Sequence, residues 1–195
     1  MKWIVRYTLI VAMGWTLAAT SAVAQDNASH VYFTGGIGGG RFTPKCDTGC
    51  FGTAMNSNSM MLVLGYHMTP RIRGELMWLW QPATGVRSHA ASISVGLAAY
   101  VVGNLYVRGG VSQLDLSVED SIGVSEGKSK PGFVVGAGYD LFLSHKFAIT
   151  PYVNFFSGSI KTLTYDNGGP TVTTSGSVTA ISGGISFTYR AWRHQ

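Results

Sequence analysis

Hydrophobic and polar residues alternate with a period of two along most of the chain after residue 30. Between residues 71 and 81, for example, Leu76 and Trp78 lie on one face of an extended chain, and Arg73 and Glu75 lie on the other. A period of two indicates a β-strand with two different faces. The same alternation recurs in eight segments: 30–42, 58–68, 71–81, 88–102, 104–117, 131–143, 146–158 and 177–190.

The two faces of these segments differ in a way that separates two all-β architectures. A soluble β-sandwich would also bury its apolar face, but its outer face would carry many Lys and Glu residues. Here the second face holds mainly Gly, Ser and Thr with single charges, which is typical of the inside of a membrane barrel. Closure of the sheet also satisfies every backbone hydrogen-bonding group, as hydrocarbon requires. We therefore predict an all-β fold, an eight-stranded antiparallel up-and-down transmembrane β-barrel.

The connections between the predicted strands alternate between short and long. Those after the second, fourth and sixth strands are tight, whereas the other four are longer and include Gln81–Arg87, Glu119–Lys130 and Lys161–Gly176. Outer-membrane barrels are built in this way, with short periplasmic turns and longer extracellular loops. The pattern predicts that both ends of the barrel domain lie in the periplasm.

Composition excludes several other classes of protein. The chain has 26 glycines among 195 residues and only 12% charged residues, against about 25% in an ordinary soluble domain. Its formal net charge is +5, of which Lys2 and Arg6 supply two units, and the remaining charge is not clustered. A protein that binds nucleic acid would need a basic patch on one face, so no nucleic-acid partner is expected.

The first residues match a secretory signal peptide. Lys2 and Arg6 form a basic start, residues 7–19 are apolar, and Ala22 to Ala24 is a small-residue cleavage site. We predict a signal peptide over residues 1–24, followed by an outer-membrane β-barrel domain over residues 25–195. Because the chain is predicted to be exported, Cys46 and Cys50 are expected to form a small disulfide within one loop. The alternative, a metal site, would need two further ligands nearby.

The inward and outward faces carry two further sets of residues. An eight-stranded barrel is only wide enough inside for side chains to fill it, so inward charges are expected to pair. The predicted inward cluster of polar residues consists of Arg73, Glu75, Arg108, Asp140 and Arg190. An ion pathway is the alternative to this internal network of ion pairs. The predicted aromatic girdles at the two membrane interfaces consist of Trp78, Trp80, Phe147, Phe187 and Tyr189.

The last strand carries the most specific sequence pattern. Ser182, Gly184, Phe187 and Tyr189 match the spacing of the terminal insertion signal in outer-membrane barrels, although residues 190–195 follow the final aromatic residue. The mature chain therefore resembles the eight-stranded outer-membrane β-barrel superfamily of Gram-negative bacteria, which includes OmpA-like barrel domains and the OmpX and opacity-type surface proteins. The resemblance implies a monomer in the cell outer membrane, surrounded by lipid and lipopolysaccharide and inserted by the barrel-assembly machinery.

The function expected from these features is non-enzymatic. We predict a structural or surface-interaction protein whose extracellular loops meet an external ligand, with no cofactor and no catalytic or metal site. A narrow porin-like channel for small solutes is the alternative. A lipid A-modifying enzyme is a third hypothesis, because some barrels of this superfamily have that activity. It would need an activated serine near the outer leaflet, and the one histidine near that end, His89, has the parity of the lipid-facing side.

Overall fold

The computed structural model of the protein describes residues 31–46, 54–85, 87–119, 124–144, 146–166 and 172–191. No helix among these residues is long and apolar enough to cross a membrane. The regular elements are ten strand segments: β1 (Val31–Cys46), β2 (Met55–His67), β3 (Ile72–Pro82), β4 (His89–Val102), β5 (Leu105–Glu119), β6 (Val124–Ser129), β7 (Gly132–Tyr139), β8 (Leu141–Phe142), β9 (Phe147–Asp166) and β10 (Val172–Arg190).

The strands form one closed antiparallel sheet. Strands β1 to β5 pair in chain order, and β5 then pairs with both β6 and β7. Strand β9 pairs with β10, and β10 returns to pair with β1 from Tyr32 opposite Arg190 to Cys46 opposite Gly176. Segments β6, β7 and β8 lie one after another along β9 and together take the place of one strand of the barrel. Counted in this way the sheet has eight strands. The predicted eight-stranded antiparallel barrel is confirmed.

The two ends of the barrel differ. At one end, called the turn end below, short connections at residues 68–71, 103–104 and 143–146 join the strands. Gly103 lies in the tightest of them with a φ of +52°, a left-handed conformation that glycine adopts without a steric penalty. At the opposite end, called the loop end, β1, β3, β5 and β9 end, and β2, β4, β6 and β10 begin. The chain enters at Val31 and leaves at Arg190 on the turn end.

Side chains alternate between the barrel interior and its outer surface. On β3, the burial pattern alternates residue by residue, so that Arg73 is 3% exposed and Leu76 is 39% exposed. The outward face is mainly apolar, whereas the inward face holds the polar residues together with apolar residues such as Met77 and Leu79. This arrangement is the reverse of a soluble sandwich and follows from the period of two in the sequence.

Several strands continue past the ends that the sequence predicts. Residues 119–130 were expected to form a loop, but β6 occupies Val124–Ser129, and most of the predicted loop 161–176 belongs to β9 and β10. These two loop predictions were wrong. The apolar alternation that marks a membrane strand ends where the lipid would end, but antiparallel pairing continues beyond it because Thr and Val residues favour extended structure.

The interior also contains more apolar volume than the sequence suggests. The second predicted run is apolar on both faces, and the structure places Met61 and Val63 inside, at 1% exposure each. They join a buried cluster that also includes Tyr32 near the turn end. The other members of this cluster are called the apolar plug below. They are Phe42, Met61, Val63, Met77, Leu79, Ala90, Leu114, Leu116, Val134, Tyr152, Phe156, Val178 and Ala180.

Candidate functional site

The most strongly charged part of the interior lies in the turn-end half of the barrel. The structure brings together the five residues of the arginine–carboxylate cluster: Arg73, Glu75, Arg108, Asp140 and Arg190. All five side chains face inward. Four of these residues lie on strands, and Asp140 directly follows β7. The sequence therefore named the members of this cluster but not their pairings.

Glu75 and Asp140 together contact all three guanidinium groups. Glu75 Oε1 lies 2.9 Å from Arg73 Nε, and Glu75 Oε2 lies 3.3 Å from Arg108 Nε. Asp140 Oδ2 lies 3.3 Å from Arg73 Nη1 and 3.9 Å from Arg190 Nη2. Three guanidinium groups face two carboxylates, so the cluster carries one net positive charge. Arg73 bridges both carboxylates and thereby joins the two halves of the cluster.

Hydroxyl groups donate hydrogen bonds to three of the four oxygens of these carboxylates. The Tyr32 hydroxyl donates to Glu75 Oε1 at 2.6 Å, and the Thr150 hydroxyl donates to Asp140 Oδ1 at 2.6 Å. The Tyr100 hydroxyl donates to Asp140 Oδ2. Charged groups in a low dielectric need several hydrogen bonds to offset the cost of desolvation. These hydroxyls therefore reduce the free-energy cost of burying the two carboxylates.

Three tyrosine rings surround the guanidinium of Arg73. Its Cζ lies 4.0 Å from the ring centroid of Tyr106, 5.0 Å from that of Tyr100 and 5.1 Å from that of Tyr32. Such contacts are favourable because the ring faces are electron-rich, and they gain strength away from water. These three tyrosines were not predicted from the sequence. The signal that would have found them is parity, since Tyr106 shares the inward face with Arg108, two residues later.

Two glycines make room for these rings. A Cβ added to Gly65 would overlap the ring of Tyr32, and one added to Gly138 would overlap the ring of Tyr106. Gly65 lies opposite Tyr32 in the pairing of β1 with β2, and Gly138 lies opposite Tyr106 in the pairing of β5 with β7. Glycine on the neighbouring strand therefore allows a large inward side chain to lie flat against the wall of a narrow barrel.

The apolar plug borders the cluster directly. Arg108 Nη1 lies 3.2 Å from Met77 Sδ and 3.9 Å from Met61 Sδ, so the charged and apolar regions meet at this side chain. Phe42 and Phe156 are fully buried farther toward the loop end. A cavity of about 10 Å³ beside Glu75 and Arg108 is at the lower limit for one water molecule. Side chains thus fill the cross-section of the barrel between its two ends.

No protein-family model matches the sequence, and no curated protein matches it significantly. Solved structures do match its fold. Neisserial surface protein A aligns with a TM-score of 0.55 and 11% identity, covering 82% of this chain and 96% of that one. OprG from Pseudomonas aeruginosa aligns with a TM-score of 0.54 and 15% identity, covering 84% of this chain and 97% of that one. The outer-membrane protein AlkL aligns with a TM-score of 0.54 and 13% identity, covering 88% and 97%. The chain has the fold of the eight-stranded outer-membrane β-barrels.

The outer surface of this barrel carries the predicted aromatic residues. Trp78 is 37% exposed and Trp80 is half-buried, both facing outward toward the loop end. Phe147 and Tyr189 face outward at the turn end, with ring centroids 5.3 Å apart, and Phe187 is exposed beside them. The aromatic side chains therefore lie near both ends of the outer surface, as girdles would.

The other predicted residues have simpler positions. Ser182 faces the interior and Gly184 lies opposite Gly38 on β1, so the strand that carries the predicted insertion signal closes the barrel. His89 is half-buried and shares the outward face of β4 with Ile93. Residues 1–30 and Cys50 lie outside the described residues, as does the side chain of Cys46. The signal peptide and the disulfide therefore stay predictions.

Proposed function

We propose that this protein is a non-enzymatic β-barrel of the Gram-negative outer membrane that presents a β-sheet and loops to the cell exterior for surface interactions. In this proposal the turn end faces the periplasm and the loop end faces outward. The apolar plug and the arginine–carboxylate cluster act as the solid core that holds the barrel wall in place. The barrel is inserted by the assembly machinery as a monomer and is surrounded by lipid.

The outward apolar band supports a membrane location. On β9, the outward positions from the turn end are Phe147, Ile149, Pro151, Val153 and Phe155, and Ser157 follows them. Strands rise about 3.3 Å per residue and tilt by about 40° in membrane barrels, so this stretch spans about 20–25 Å of hydrocarbon. That height equals the apolar band of known outer-membrane barrels.

The observation that carries the surface role is the strand structure beyond this band. Val124–Lys128 pairs with Asp115–Glu119, Val124–Ser129 pairs with Ile160–Asp166, and Val172–Val178 pairs with Gly158–Tyr165. These segments form a four-stranded extension of one side of the barrel, called the outer sheet below. On the opposite side, β3 ends at Pro82 and β4 begins at His89 with six residues between them.

The chemistry of the outer sheet fits an aqueous surface. Residues 157–177 are mainly Ser, Thr and Gly with single charged residues, and they lack the apolar alternation of the band below. Hydrogen-bonded sheet structure in water gives the outer sheet a fixed shape against which a partner can bind. A fixed platform lowers the entropy lost on binding, which favours recognition of an external partner.

Epitope insertion tests the location and orientation. A short epitope inserted between residues 168 and 169 is expected to bind its antibody on intact cells, and the same epitope inserted between Thr69 and Pro70 is expected to bind only after permeabilisation. Both proteins should also migrate faster on a gel before heating than after it, as folded barrels do. Labelling of both insertions on intact cells, or of neither, would show that the proposed orientation is wrong.

The narrow channel is the second candidate function, supported by the polar residues along part of the interior. The apolar plug opposes it, because an ion would have to leave water and pass buried apolar side chains that fill the interior. Planar-bilayer recordings of the refolded protein are expected to show no discrete conductance. Reproducible single-channel steps from protein that also migrates as a folded barrel would favour the channel instead.

The enzyme hypothesis receives no support from the described residues. His89 faces outward with Ile93, so its imidazole lies on the surface that we assign to lipid. The buried carboxylates of Glu75 and Asp140 are held by arginines and hydroxyls. Lipid A mass spectra of cells that overproduce the protein are expected to be unchanged.

A further inference from the structure

The outward face of β1 changes abruptly from apolar to cationic. Val31, Phe33 and Ile37 are exposed apolar side chains on this face, and Arg41 and Lys45 follow at the same parity toward the loop end. Both cations are exposed. Among strand residues whose side chains the structure describes, they are the only lysine or arginine side chains on the outward face.

We propose that Arg41 and Lys45 form a binding site for the phosphate groups of lipopolysaccharide in the outer leaflet. The inference rests on the proposed function, because it requires the loop end to face outward. It goes beyond that function by assigning a lipid ligand to named residues on one side of the barrel.

The position of the two cations matches the depth of lipid phosphates. Arg41 lies opposite Ile181 on β10 and opposite Asn56 on β2. Ile181 is the last exposed apolar residue on the outward face of β10, and Met60 is the last on β2 before Asn58 and Asn56. Arg41 therefore lies at the boundary where hydrocarbon gives way to headgroups, which is where cations of membrane proteins meet anionic lipid.

The surroundings leave both cations available to an anion. No described side chain on the outward faces of β10, β1 and β2 is a carboxylate, and no ion pair among the described residues involves Arg41 or Lys45. The outward neighbours are Asn56 and Asn58 on β2 and Thr179 on β10, all of which can donate hydrogen bonds to phosphate oxygens.

The spacing of the cations favours an extended phosphorylated headgroup. Four residues along a strand separate their Cα atoms by about 13 Å, so the two side chains can contact separate phosphate groups. Arg41 can hold one phosphate with two parallel N–H donors, and Lys45 can add a point charge to another. A free phosphate ion would engage only one of them. The site is also on the side of the barrel, where lipid lies against it.

Calorimetric titration of the refolded, micelle-bound protein with lipid A, without divalent cations, tests the inference. Near an anionic surface each cation contributes a factor of about five, so the double variant R41Q/K45Q is expected to bind about 25-fold more weakly than the unchanged protein. The matched control R71Q/K146Q removes two exposed cations at the turn end and is expected to bind within about twofold of the unchanged protein. The variant R41K/K45R should retain binding because it keeps both charges.

Additional titrations test whether the phosphate groups of lipid A are the ligand. Lipid A from which the phosphates have been removed is expected to bind all four proteins equally weakly. Equal losses in R41Q/K45Q and R71Q/K146Q, or no loss in R41Q/K45Q, would show that Arg41 and Lys45 do not form the site. If inorganic phosphate at the concentration of lipid A displaced lipid A from the protein, the ligand of the site would be free phosphate and not the lipid headgroup. Each variant is checked for the faster migration of unheated barrel, and the epitope experiment tests orientation independently, so failure of the site is distinguishable from failure of the proposed function.

Discussion

Glu75 is the residue on which the interior charge balance depends most, and its replacement by glutamine is the sharpest test of the core. Its carboxylate receives the Tyr32 hydroxyl and contacts Arg73 and Arg108, and its side chain is 4% exposed. The variant E75Q leaves three guanidinium groups facing one carboxylate. Breaking a buried ion pair from one side costs about 3–5 kcal/mol, because the remaining charge stays buried without its partner.

The free energy of unfolding is measured by urea titration of the refolded barrel in phospholipid vesicles, followed by tryptophan fluorescence. With a slope of about 2 kcal/mol per molar urea, a loss of 4 kcal/mol lowers the midpoint by about 2 M. The slope itself should not change, because the same surface is exposed on unfolding.

The variant R108M is the matched comparison for E75Q. It leaves two arginines facing two carboxylates, and its new thioether would lie beside Met61 and Met77, which already contact the Arg108 guanidinium at 3.9 and 3.2 Å. We expect R108M to cost less than E75Q. The double variant E75Q/R108M should be more stable than the sum of the two losses predicts, because it removes both members of one buried pair.

Two results would refute this account of the core. The first is a loss of less than about 1 kcal/mol for E75Q, which is the range of a surface ion pair and would mean that water reaches the cluster. The second is strict additivity of the two substitutions, which would mean that Glu75 and Arg108 do not interact in the folded barrel.

Two further substitutions test the packing of the interior by the same urea titration. G65A places a Cβ where the Tyr32 ring lies and is expected to cost about 1–3 kcal/mol, whereas G35A, on the outward face, meets only an ordinary contact and should cost less. Equal losses would show that Tyr32 can move aside. F156A opens a cavity in the apolar plug and is expected to cost about 3–5 kcal/mol. F155A, the outward neighbour, should cost less because lipid chains fill the vacated space. A larger loss for F155A than for F156A would show that Phe155, and not Phe156, belongs to the core.

The arrangement of charges shows which part of the site can be predicted. The parity of each residue is set by the chain itself, so Arg73, Glu75 and Arg108 were assigned to the interior from the sequence. Their partners depend on how the strands are staggered when the sheet closes. Tyr32 reaches Glu75 across 43 residues of sequence, and Arg73 reaches Asp140 across 67 residues. No local pattern contains these separations.

The sequence by itself determined the fold class, the number of barrel strands and the direction of most strand residues, because lipid outside and a narrow interior impose opposite demands on alternate positions. It did not determine the direction of Met61 and Val63, since both faces of their strand are apolar. Nor did it determine where β9 and β10 end, since hydrogen-bonded pairing continues after the apolar alternation stops. Only the closed barrel decided those features, because they depend on which strand lies opposite and how far it extends.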